Sequence, residues 1–148
     1  MTARPGHEPN PLGDVVVLVE GWAMKWLSRD TVRLPYMTLC LSQAEFLKVA
    51  TRCNVPDPGV WMDVDRQLAV VHTWENDSGL FCVVCLNQSA AEADPIAVAC
   101  ALVHESVHVF QRLCDSIGEE KPSREFEAYS IERISEALMR EYARRVCT

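Results

Sequence analysis

The residues best suited to chemistry in this chain are His104, Glu105 and His108, in the order His-Glu-Ser-Val-His. A helix turns about 100° per residue, so the two histidines would stand about 40° apart on one face. From there both imidazoles can reach one ion at Zn–N distances of about 2.0–2.1 Å. Glu105, one position round the same face, is placed to take a proton from a metal-bound water without being a ligand. Two ordinary helix histidines beside a glutamate would give the same letters. At common residue frequencies, chance supplies the pattern in only about one chain of this length in a few hundred, which favours the metal reading.

A catalytic zinc usually has three protein ligands and one open position. Downstream carboxylates are Glu125, Glu127, Glu132 and Glu136, and His72 lies upstream. Helical phase groups Glu127 with Ile131, Ile134 and Leu138, an apolar stripe, and puts Glu125 with Glu132, Glu136 and Arg140 on a solvated face. A carboxylate on an apolar face needs a cation, and a metal supplies one. A salt bridge to Arg112 or another base is the plainer alternative. Cys100, Ala97 and Ala101 share the histidine face one and two turns earlier. They would allow close approach of a neighbouring element, and Cys100 could reach the ion as a soft ligand.

The spacing His104-Glu105-x-x-His108, eighteen residues, Glu127-Ala128-Tyr129 resembles the gluzincin arrangement of zinc peptidases, and among them the aminopeptidase branch. The resemblance covers about residues 95–140. It implies Zn²⁺ held by His104, His108 and Glu127, Glu105 as general base, and a peptide or protein substrate. The chain has neither the separate substrate domain of that group nor a Gly-x-Met-Glu-Asn-type signature. Tyr129, about 200° round the helix from Glu127, is not expected to face the site. The stretches around His104 and Glu125 also look like small phage and prophage proteins. That likeness implies an origin, not an activity; the small size and missing substrate domain favour the alternative, a non-enzymatic phage morphogenesis or host-interaction protein whose metal only stabilises the fold.

These residues need elements to position them. Asp94 and Pro95 supply an N-cap and first residue for a helix running to Ile117, which Gly118 ends. Ser123 or Pro122 opens a last helix to about Val146. Gln67–Trp74 and Leu80–Asn87 are apolar, β-branched runs around Asn76-Asp77-Ser78-Gly79, a hairpin pattern, with the second run expected as the sheet edge beside the metal. An extended peptide could add to that edge. Thr38–Leu41 reads as a short strand. Ser42-Gln43-Ala44-Glu45 is a capping box opening a helix to about Cys53, and Asn54–Gly59 is a turn. Asp14 could cap a helix bearing Val15, Leu18, Val19, Trp22 and Trp26, although the β-branched run also suits a strand. The expected fold is α+β: a minimal zincin-like domain, with a small antiparallel sheet on two long C-terminal helices plus N-terminal helices. Residues 1–13 form an arm and 14–148 a single domain.

Composition agrees. The 148 residues are 49% hydrophobic, as in a globular domain, and carry a formal charge of −7, which disfavours a nucleic-acid partner. No signal-type segment opens the chain, and Val15–Val19 is too short to span a bilayer, so a cytoplasmic protein without a membrane partner is expected. Seven cysteines, an odd number with irregular spacing, read as free thiols. In a strand, Cys82 and Cys85 would point to opposite faces, against a redox pair between them.

Overall fold

The computed structural model describes residues 17–19, 22–24, 27, 35–92 and 94–146. The expected N-terminal arm lies outside them, as does most of the segment after Asp14. Where a helix was an option, Val17–Val19 (β1) and Trp22–Met24 (β2) form an antiparallel pair instead. Valine loses χ1 freedom in a helix and fits a pleated strand, which decides for the strand.

The main sheet has three strands, Tyr36–Cys40 (β3), Ala69–Asn76 (β4) and Gly79–Leu86 (β5), in the order β3-β5-β4. It is mixed, not antiparallel as expected. β4 and β5 are the hairpin, whereas β3 runs parallel to β5. The parallel pair follows from the long crossover through Gln43–Arg52 (α1) between β3 and the hairpin. β5 is central, and the strand beside the candidate site is β4. The run Phe81–Leu86 is buried throughout, as a strand covered on both faces must be, so its unbroken apolar character marks the sheet's middle and not its edge.

Helices cover both faces. On one side α1 packs with Phe46 and Val49 against Tyr36, Cys40, Phe81, Val83 and Cys85. On the other, Pro95–Ile117 (α3) and Arg124–Val146 (α4) pack with Leu102, Val109, Leu113, Ile134 and Leu138 against Met37, Leu39, Cys82 and Val84. The short helix Gln88–Ala91 (α2) leads into α3. The architecture is thus α+β. No helix among the described residues is long and apolar enough to cross a membrane.

The caps account for the boundaries. Asp94 accepts from the amides of Ile96 and Ala97, Pro95 needs no amide partner, and Gly118 ends α3 with φ 71°, a left-handed value that glycine adopts without strain. Ser123 Oγ accepts from the Phe126 amide and starts α4. Ser42 Oγ accepts from the Glu45 amide, but Glu45 does not complete a reciprocal box. Its Oε2 takes the Leu41 amide at 2.7 Å, and its Oε1 pairs with Arg145 near the end of α4.

Candidate metal and hydrolytic site

His104, Glu105 and His108 lie on α3 where it passes β4. A cleft of about 700 Å³ runs between them, lined by residues 66–71 and 73 and by Ala101, the three motif residues, Gln111, Arg112 and Asp115. Both imidazoles are exposed to it. Their Nε2 atoms are 3.2 Å apart and their rings meet edge to face. Gln111, one turn on, places Oε1 3.0 Å from Nδ1 of His108. An amide oxygen only accepts, so Nδ1 carries the proton and Nε2 of His108 keeps its lone pair toward His104.

Glu105 is buried, unlike its neighbours. Burial raises its carboxyl above the usual range, opposed by His104, His108 and the Val71 amide, which the carboxylate receives. That amide is available because β4 is an edge. Asn76 pairs with Gly79 across the two-residue turn, and at the far end the Asn87 amide reaches the Leu68 carbonyl at 2.8 Å. Alternate residues Val70, His72 and Trp74 therefore bond to β5, and Ala69, Val71, Thr73 and Glu75 turn their main-chain groups outward. Arg112 closes one end of the cleft, with Glu75 at 3.1 Å and Asp115 at 3.6 Å.

The third expected ligand is placed elsewhere. Glu127 is exposed on the first turn of α4, where its charge is felt by the thiol of Cys114. Cys114 stands about 9 Å further along α3 than His108, at 1.5 Å per residue. Glu127 does share its stripe with buried Ile134 and Leu138, as helical phase requires. The short connection after Gly118 and the Phe110–Phe126 ring contact set the first turn of α4 against the last turns of α3, and Glu127 is left exposed there. The suggested Arg112 bridge to Glu127 is replaced by those to Glu75 and Asp115.

Of the other carboxylates, Glu125, Glu132 and Glu136 are exposed, and Glu136 pairs with Arg140 at 2.6 Å. Cys100 is exposed and does not line the cleft, and Tyr129 is exposed away from it. His72 sits on the α1 side of the sheet, with Nε2 2.7 Å from the Trp61 carbonyl and its ring against Phe46. Among the described residues, no group of three or more His, Cys, Asp or Glu side chains is gathered to hold a metal ion. Sequence reasoning missed Gln111 and the role of Val71. The i+3 offset of Gln111 from His108 was a usable signal.

Two imidazoles at this separation suit a transition metal. Ligands at about 2.05 Å from one ion, with a tetrahedral angle between them, stand about 3.3 Å apart. The observed 3.2 Å is close to that bite. The donor set thus fits a two-histidine anchor, while a carboxylate ligand is not in place. Comparison with family models, with curated proteins and with solved structures gave no match.

Proposed function

We propose that the chain is a zinc-dependent peptidase in which His104 and His108 hold the ion and Glu105 is the general base. The carrying observation is the 3.2 Å separation of the two Nε2 atoms at a cleft that Glu105 also lines. A bound Zn²⁺ would supply Lewis acidity and an acidified water. Glu105 would take a proton from that water at its carboxylate and pass it to the leaving amine. An extended peptide would lie along β4, where Ala69 and Thr73 offer outward main-chain groups, and Gln111 would keep His108 in the right tautomer.

Zinc binding is the first test. About one equivalent per chain is expected, with a clear rise in melting temperature that His104→Ala and His108→Ala abolish. Saturation at about 100-fold over Kd is worth about 2.7 kcal/mol. Purified protein with no transition metal, and no thermal response to added zinc, would end the proposal.

Glu127 remains the ligand that the gluzincin resemblance assigns. On that basis Glu127→Ala should weaken zinc binding far more than Glu125→Ala. Equal affinities would leave the ion on the imidazole pair alone. The displacement of Glu127 from the cleft favours a second reading, a non-enzymatic phage morphogenesis or host-interaction protein whose metal only stabilises the fold. Zinc-loaded protein that cleaves no member of a broad peptide library would select it.

A further inference from the structure

Cys85 does not face Cys82, its partner in the C-x-x-C spacing. Cys82 packs on the α3 side of the sheet and Cys85 on the α1 side. The true neighbour of Cys85 is Cys40, its register partner on the adjacent parallel strand. Directly paired residues on neighbouring strands have Cα atoms about 4.8 Å apart, within the span of about 4.4–6.8 Å that a disulfide bridges. Cys40 and His72, on the strands either side of β5, each interact with the Cys85 thiol closely enough to shift its protonation, while Cys85 Sγ donates to the Val83 carbonyl at 3.9 Å. The Trp61 carbonyl fixes a proton on Nε2 of His72, which leaves the other ring nitrogen for Cys85.

We propose that Cys40 and Cys85 form a reversible cross-strand disulfide when the protein meets hydrogen peroxide, with Cys85 attacking and Cys40 resolving. Cys85 Sγ, as thiolate, attacks one peroxide oxygen. The O–O bond breaks, the sulfur is oxidised to a sulfenic acid, and the other oxygen leaves as water with the proton held by His72. Cys40 Sγ then attacks that sulfur, the S–O bond breaks, and a second water leaves with the Cys40 proton. Two thiols and one peroxide thus become one disulfide and two waters.

The surroundings sort the cysteines by readiness. Cys40 first, and His72 after it, lower Cys85 to about 7 against the opposing effect of burial. Burial pushes Cys53 and Cys82 up to about 12, and raises Cys40 well above its usual value, so these stay protonated. A protonated Cys40 beside an ionised Cys85 is the order that the two steps need. Both sulfurs are fully buried beneath α1 and Met62, so the reaction waits on local opening of that cover and should be slower than at exposed Cys100.

The test starts by alkylating Cys100 under native conditions, then adds hydrogen peroxide, and maps peptides without reduction by mass spectrometry. A Cys40–Cys85 linked peptide is expected, with a loss of about 2 Da per chain that dithiothreitol reverses. Cys40→Ala should instead carry Cys85 on to the sulfinic acid, a gain of about 32 Da. His72→Gln should slow linkage in wild-type background. Linkage through any other cysteine, or no linkage in folded wild type, would overturn the proposal. The wild-type map alone decides this if a variant fails to fold. His104, Glu105 and His108 lie on the opposite face, so zinc binding should survive oxidation, and the two proposals can fail separately.

Discussion

Glu105→Gln is expected to keep the fold and zinc binding while lowering peptide hydrolysis by about 10²–10⁴-fold, the usual contribution of a positioned general base. The structure supplies reasons for both halves. Glu105 is buried, and burial already disfavours its charged form, so a neutral isostere costs the fold little. The amide oxygen of glutamine can still receive the Val71 amide. The histidine pair is held by α3 and Gln111, neither of which depends on the Glu105 charge. What glutamine cannot do is accept a proton. The measurement is a peptide-library digest with both zinc-loaded proteins, alongside their melting curves. Equal cleavage by the two proteins would show that the assigned base is wrong. A collapsed melting temperature in the variant would show that Glu105 is structural first.

How far that site could be read in advance depends on how local its determinants are. The α3 boundaries, the facing of His104 and His108 and the burial of the following turns all come from short-range features: Asp94, Pro95, Gly118 and the helical period. The hairpin of β4 and β5 was equally legible from Asn76–Gly79. The position of Glu127 was not. Phase identifies the side of α4 that it occupies, but its height along α3 depends on how tightly the chain turns after Gly118 and on where Phe126 meets Phe110. The order of the strands was also hidden. A buried apolar run such as Phe81–Leu86 reads as a strand, yet its central place depends on β3, whose paired residues lie 45 positions upstream. The same non-local pairing brings Cys40 to Cys85, which no spacing within either strand announces.

The strongest expected effect on stability lies at the far end of α4, where Arg145 joins the last helix to α1 and β3. Arg145→Met should cost about 3–5 kcal/mol, as expected when one member of a buried pair is removed. Arg145 donates to the Leu39 carbonyl at 3.1 Å and pairs with Glu45, whose second oxygen holds the Leu41 amide. The side chains are only 4% and 7% exposed, so neither charge has water to fall back on. Methionine would fill much of the volume but leave the Glu45 carboxylate buried without its cation. The cost therefore comes from the stranded charge more than from the lost contact. The double variant Glu45→Gln with Arg145→Met tests that cause. Glutamine is neutral and can keep the Leu41 amide on its oxygen, so the pair of changes should recover a large part of the loss, as replacements of whole buried ion pairs often do. Urea unfolding of the wild type, both single variants and the double gives the coupling energy directly. A single-variant loss below about 1 kcal/mol would mean that the pair is solvated in solution. Strictly additive losses would mean that Arg145 and Glu45 act independently.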